Sequence, residues 1–213
     1  MTRLYIVCEG LTEVNFVTQL LKPHLEAPDP LRLTVGAPNL RGHYTYAQLK
    51  KFVKNLLATP SSPVAVTTMV DLFKIPGDHP GIAEASDEAP VERVHHLENE
   101  CTEDIGDRRF FSHLQLHEFE ALLLADLTVL VKQHPNRRNE IGDLAARLNR
   151  DFPSPEHVDR LHPPSYRIKD AVPEYNKTVD GPTTASGIGL PRLRERCPHF
   201  GQWLQHLEDL SPA

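Results

Sequence analysis

The sequence is poor in several things at once. It has 3 cysteines in 213 residues. They are Cys8, Cys101 and Cys197, widely spaced and without a C-x-x-C pair, which argues against a disulfide framework or a structural zinc site. Cys8, between Val7 and Glu9, reads as core filler rather than as a nucleophile. There is no excess of positive charge: 23 Lys and Arg stand against 29 Asp and Glu, for a formal net charge of -6. A protein that grips nucleic acid through an overall basic field is thereby disfavoured, while a local basic strip remains compatible with the balance. Long apolar runs are missing too. The longest, Ala121 to Val131, is interrupted by Asp126 and is too short to span a bilayer, and the opening run is too short for a signal peptide and lacks its flanks. These absences lead to the expectation of a soluble, cytoplasmic protein with no membrane partner. No internal repeat or coiled-coil pattern is found.

What is present is enough for one sizeable core: 213 residues with 39% hydrophobic content predict a single domain with a small appended lobe. The chain is organised around Leu4-Tyr5-Ile6-Val7-Cys8-Glu9-Gly10-Leu11-Thr12-Glu13. An apolar run that ends in an acid and a glycine reads as a buried strand turning into a helix. The helix is expected from Thr12 to about Lys22, with Val14, Val17, Leu20 and Leu21 toward the sheet and Pro23 as its end or kink. Strand carboxyl ends are where open α/β sheets bind ligands. Glu9 is placed there, and Glu13, one turn on, can point to the same side. The plainer account of Glu13 is that it complements the helix amino terminus, worth ~0.3–1 kcal/mol. That account does not extend to Glu9.

Pro28-Asp29-Pro30 breaks the pattern, and Leu31 to Val35 alternates as a second strand. The loop from Pro38 to Tyr46 mixes Arg41, His43 and Tyr44, groups that can meet a phosphate or a base or can simply be solvated. Tyr46 to Leu57 reads as a helix with lysines on its wet face. Pro63 to Val70 is a second buried strand, ending in Asp71. Leu72 to Pro90 reads as a loop in which Asp78 and His79 can reach the strand end or, for Asp78, serve a turn. Pro90 to Ile105 has helical spacing, with Glu98 among its outward acids. The adjacent His95-His96 pair cannot converge on one metal from a helix and is assigned to the surface. Arg109 to Leu116 is a third strand candidate running into His117-Glu118-Phe119-Glu120. There the period changes from two to 3.6, so that Glu118 can point back over the strand ends while Glu120 starts a helix, one of the two being only a helix-start acid. His117 reads as a general base, a hydrogen-bond donor or a structural histidine. Beyond Val131 come a short helix over Asp143 to Arg150, a proline-rich loop to Pro164, and a helix from Pro164 to near Pro173. The loop Tyr175 to Gly181 presents Lys177, and two final helices break at Cys197-Pro198. The fold class is thus α/β, a mostly parallel, Rossmann-like sheet flanked by helices. Residues 1–131 form its core, and residues 132–213 form a helical and loop extension packed on it.

Carboxylates gathered at strand ends repel and raise one another's pKa unless a counter-ion relieves them. Hard oxygen ligands suit Mg²⁺ or Mn²⁺, and such ions serve phosphate chemistry by activating water and neutralising charge. Lys177, Arg167 and Lys169 are the later basic groups able to meet a phosphate. In the competing account each acid merely caps its own helix.

The segment Cys8-Glu9-Gly10-Leu11-Thr12-Glu13 resembles the V-E-G-x-T-E signature of Toprim-like domains. Together with Thr67-Thr68-Met69-Val70-Asp71, His117-Glu118-Phe119-Glu120-Ala121-Leu122, Pro164 to Ile168 and Cys197 to Leu204, the chain is similar nearly end to end to the bacterial family called domain of unknown function 4276. The resemblance implies a Toprim-like fold, shared with topoisomerases, primases and the overcoming-lysogenization-defect nucleases. It also implies loci of phage defence or mobile elements, where family members often stand beside ATPases. Carried over residue by residue, it implies Glu9 as first glutamate and catalytic ligand, Glu13 as second acid, and Asp71 as first aspartate of a D-x-D motif. Phe73 stands where the second aspartate belongs, so another ligand must be recruited from Asp78, Glu118 or Glu120. Lys177 corresponds weakly to a late nuclease lysine. The expectation is an Mg²⁺- or Mn²⁺-dependent nuclease acting on DNA, with Glu9, Asp71 and Lys177 catalytic, Glu9, Glu13, Asp71, Glu118 and Glu120 as metal acids, and Arg41, Arg167 and Lys169 toward substrate. An ATPase encoded nearby is the expected partner, and a homo-oligomer is compatible with the sequence. The rival readings are a non-catalytic binding module that partners an ATPase, and a phosphohydrolase of nucleotides.

Overall fold

A computed structural model describes residues 2–27, 33–59, 65–85, 89–159 and 161–210. The Pro28 to Pro30 break, the first two residues of the strand expected over Leu31 to Val35, and Pro63 and Val64 of the strand expected over Pro63 to Val70 lie outside the described residues. Five strands form one all-parallel sheet: β1 (Thr2–Cys8), β2 (Leu33–Gly36), β3 (Ala65–Asp71), β4 (Phe110–Phe111) and β5 (Leu114–Gln115). Their order is β2-β1-β3-β4, with β5 also paired to β3. The mostly parallel sheet flanked by helices expected from the sequence is thus observed.

The two faces of the sheet follow the period-two alternation of its central strands. Leu4, Ile6 and Cys8 of β1 and Ala65 and Met69 of β3 belong to one apolar cluster with Phe16, Phe119, Phe200, Leu204 and Leu207. On the other face, Val7 and Val66 pack with Leu49, Val53 and Leu57 of α3 (Tyr46–Leu57). Val70 packs there with Val94 and Leu97 of α4 (Pro90–Ile105). Both helices keep the bounds read from the sequence. Every residue of β3 is buried, as expected of a strand covered on both sides.

Several expectations change. Pro23 does not end the first helix. α1 (Leu11–Phe16) passes through a π-type turn over Val17–Leu21 into α2 (Lys22–Glu26). In that turn the Lys22 N–H donates to Val17 O, five residues back, and Pro23 then falls in the first turn of α2, where a missing N–H costs little. The third strand is not continuous: β4 pairs with Val66 and Thr67, β5 with Val70 and Asp71, and Ser112-His113 lies between them. The side chain of Thr68 bridges this break, accepting from His113 N at 2.9 Å and donating to His113 O at 2.8 Å. The helix expected over Asp143 to Arg150 is longer, α7 (Arg138–Asp151).

The remaining helices are α5 (Glu120–Leu123), α6 (Thr128–Gln133), α8 (Pro164–Ala171), α9 (Lys177–Ile188), α10 (Leu190–Arg196) and α11 (Pro198–Asp209). Lys177 therefore opens a helix rather than standing in a loop. Pro182 inside α9 leaves the Thr178 carbonyl without its i+4 donor; Asn15 Nδ2 of α1 donates to Thr178 O instead, at 3.3 Å. This bond places α9 along α1 and brings its first residue to the strand ends. No helix of the described chain is long and apolar enough to cross a membrane.

Candidate metal centre

Parallel pairing sets Cys8 opposite Met69, so β1 and β3 deliver the acids that follow them to the same edge. The Asp71 N–H donates to Glu9 Oε2 at 3.1 Å, and the Glu9 carbonyl accepts from Gly42 N at 2.8 Å, which ties the Arg41-Gly42 loop to this acid. Gly10 has an extended backbone, with φ -146, so its value is not a special turn conformation. A Cβ at this position would stand 3.3 Å from Glu13 Oε2, which accepts from Gly10 N at 2.9 Å. Glu13 thus does complement the helix start, and it does so while buried among the other acids.

Asp71 is 1% exposed. Its Oδ1 accepts from Phe119 N at 2.8 Å, while Oδ2 lies 3.3 Å from Lys177 Nζ. The same ammonium is 3.1 Å from Glu120 Oε2, and Glu120 is itself 1% exposed. Glu120 Oε1 has no hydrogen-bond partner among the described residues. Glu118 is buried next to them, but its Oε2 accepts from Ser165 N at 3.0 Å, at the start of α8. The expected assignment of the two acids in His117-Glu118-Phe119-Glu120 is thus reversed: Glu120, which also opens α5, faces Lys177 and Asp71, while Glu118 is drawn to the start of α8. The chain reverses just before them at His117, in the left-handed region at φ 63, with its Nε2 3.0 Å from Glu156 O.

The charges act as crowded carboxylates should. Burial, and then the Asp71 charge, push Glu9 above the ordinary carboxylate range. Burial and Asp71 raise Glu13 to about 7. Burial raises Glu120 to about 7 against the pull of Lys177, and burial raises Asp71 as well. Burial alone would drive Lys177 down, but Asp71, Glu120 and Glu13 outweigh it and hold the ammonium charged. Five carboxylates against one bridging cation, an all-oxygen donor set and an unpartnered buried oxygen on Glu120 fit a hard divalent ion, Mg²⁺ or Mn²⁺.

Other expected residues lie elsewhere or are otherwise engaged. Asp78 Oδ1 accepts from Tyr46 N at 2.9 Å and so serves the start of α3. Phe73 is 50% exposed, so position 73 faces solvent and Glu120 supplies the further buried acid. Arg167 pairs with Asp159, donates to His162 O at 2.7 Å and lies over the Phe152 ring at 5.1 Å. Lys169 is exposed on α8, and Arg41 is exposed beside the Glu9 loop. The sequence reading passed over Lys74, whose charge lowers Glu9, and Tyr175, whose hydroxyl burial and the Glu120 charge push upward. The run Asp71-Leu72-Phe73-Lys74 carried a signal for the lysine. The sequence carried none for the tyrosine.

Glu98 departs from its expected outward position, whereas His95 stays exposed as expected. Glu98 turns inward: its Oε1 accepts from Leu114 N at 2.7 Å, and His199 Nε2 lies 3.0 Å away. His95 joins this pair at the edge of the sheet.

Among solved structures the fold is similar to the C-terminal region of the Burkholderia pseudomallei OLD protein, with TM-score 0.50 and 16% identity, covering 98% of this chain and 98% of that one. The C-terminal region of the Xanthomonas campestris pv. campestris OLD protein aligns at TM-score 0.47 and 17% identity, covering 98% and 95%. No curated protein matches the sequence. A model of one protein family matches residues 8–208, and the chain belongs to that family, described as a domain of unknown function, DUF4276.

Proposed function

We propose that the chain is a Toprim-like, Mg²⁺- or Mn²⁺-dependent nuclease module that hydrolyses DNA phosphodiesters and works with an ATPase, in phage defence. The observation that carries this reading is the single ammonium of Lys177 set between Asp71 and Glu120, with Glu9 and Glu13 adjoining at the carboxyl edge of a parallel sheet. Glu9, Glu13, Asp71 and Glu120 would hold the ion, and Glu118 would contribute its free oxygen as a further acid. When bound, the ion supplies charge neutralisation on the phosphodiester and lowers the pKa of water. Glu9, raised by burial and Asp71 and less enclosed than the other acids, is suited to accept a proton from water. Lys177 would offset negative charge on the non-bridging oxygens as it builds up. Arg41 and Lys74 are the exposed cations beside Glu9 and would steer the DNA backbone, a role that Arg167 cannot fill while it is held by Asp159. The ATPase is proposed from the resemblance to a family whose members often stand beside ATPases.

The test is to incubate the chain and its Glu9→Ala variant with supercoiled plasmid and linear duplex in Mg²⁺ and then Mn²⁺, following nicks on a gel and metal binding by calorimetry. Metal-dependent nicking that disappears in Glu9→Ala is the expected result; cleavage by Glu9→Ala at the wild-type rate sinks the assignment. One observation favours a non-catalytic module instead. Lys177 already gives Asp71 and Glu120 a resident counter-charge, and on that reading Mn²⁺ binds weakly and no duplex is cut.

A further inference from the structure

A second constellation lies away from these acids, beside the middle of β3. His95 and Glu98 sit one turn apart on α4 and so share a face, and His199 enters from the first turn of α11. One ligand atom from each lies within 4.8 Å of the other two. Glu98 Oε2 is 3.1 Å from His199 Nε2 and 3.8 Å from His95 Nδ1. Ligands that share a tetrahedral zinc at ~2.0–2.1 Å stand about 3.3 Å apart, a value bracketed by these two separations. At 3.8 Å the His95–Glu98 pair is too long to be a hydrogen bond; an ion between them would close it.

The surroundings are built as outer supports of such a site are. Glu98 Oε1 is held by the Leu114 N–H at 2.7 Å, which leaves Oε2 turned toward the two imidazoles. His113, 3.5 Å from Glu98 Oε1, stacks between the rings of His199 (4.8 Å) and Trp203 (4.2 Å), and Trp203 Nε1 donates to Thr67 Oγ1 at 3.1 Å. The orientation of His199 is thereby anchored to the central strand. The cluster opens on a groove of about 280 Å³, leaving room for a fourth ligand from solvent. Two imidazoles and one carboxylate with an open position suit a borderline ion such as Zn²⁺ better than Mg²⁺.

We propose that His95 Nδ1, Glu98 Oε2 and His199 Nε2 form a Zn²⁺ site with an open fourth position, which clamps α11 to α4 independently of the carboxylate centre. His113 is bonded to Thr68, three residues before Asp71 and so roughly 10 Å back along β3, which makes the two sites separate in position as well as in donor chemistry. Because the ion binds only the folded chain, it stabilises it by mass action.

The test uses the untagged full chain, stripped with chelator and titrated with ZnCl₂ by calorimetry in excess Mg²⁺, with Co²⁺ as a spectroscopic replacement. His95 is half exposed, so His95→Ala should keep the metal-free melting temperature of the wild type, which is checked first. The expected result is one Zn²⁺ per chain and the visible absorption of tetrahedral Co²⁺. Both should persist in Glu9→Gln, and binding should weaken in His95→Ala by more than the roughly 10–100-fold that loss of an outer partner costs. The proposal is overturned by any of three results: no Zn²⁺ uptake by the wild type in excess Mg²⁺, unchanged affinity in His95→Ala, or loss of the site in Glu9→Gln.

Discussion

Lys177 Nζ stands between carboxylates that would otherwise repel, at 3.3 Å from Asp71 and 3.1 Å from Glu120. Removing a cation raises the pKa of the acids facing it. Lys177→Met is therefore expected to shift the acidic limb of a pH–rate profile for plasmid nicking to higher pH, and to lower the rate by roughly 10²–10³-fold, as loss of one charge-stabilising donor does. The same crowding has a signature in stability. Folded Glu13 and Glu120 keep their protons up to about pH 7, whereas an ordinary glutamate releases them near 4.5. The folded chain thus binds more protons than the unfolded one between these values, and metal-free stability falls as pH rises from about 4.5 to about 7. Melting curves across this window with chelator should show the fall, Mn²⁺ should reverse it, and Glu120→Gln should flatten it. Glu9, Glu13 and Asp71 were legible in the sequence because each closes or follows a buried run. The partner of Glu98 was not: His199 is about a hundred residues away, and no local pattern announces it.

At the scale of elements, what could be read depended on whether proline was judged alone or with its surroundings. β3, α3 and α4 were legible because a valine-rich run or an apolar period of 3.6 decides them locally. Pro23 pointed to a helix end that is absent, since a π-type turn accommodates it, and at Pro182, which the motifs did not single out, Asn15 supplies the hydrogen bond lost. Both remedies come from residues that a reading of the local motif does not weigh. Asn15→Leu should therefore loosen the start of α9, seen as faster amide exchange near Lys177, with the sheet unaffected. Phe16 joins three elements at one point, edge-on to Phe119 at 5.5 Å and to Phe200 at 6.0 Å. Phe16→Ala is expected to cost roughly 3–5 kcal/mol in urea unfolding. It should also weaken metal binding, since the residue it loosens, Phe119, donates its N–H to Asp71.

Across the whole molecule, one apolar cluster includes Leu4 at one end and Leu207 at the other. The core proposed for residues 1–131 shares this cluster with Phe200, Leu204 and Leu207 of α11, so a chain cut after residue 131 should lose its cooperative melting transition, as followed by circular dichroism. β1 is also interior to the sheet, between β2 and β3. During synthesis β1 precedes the other described strands, yet α11, which completes its apolar cluster, is made about two hundred residues later, an interval of roughly 10–40 s at common elongation speeds. For that time the ribosome carries a nascent chain whose central strand sits in an incomplete apolar cluster, so chaperone occupancy should concentrate around β1 and end abruptly once α11 has cleared the exit tunnel.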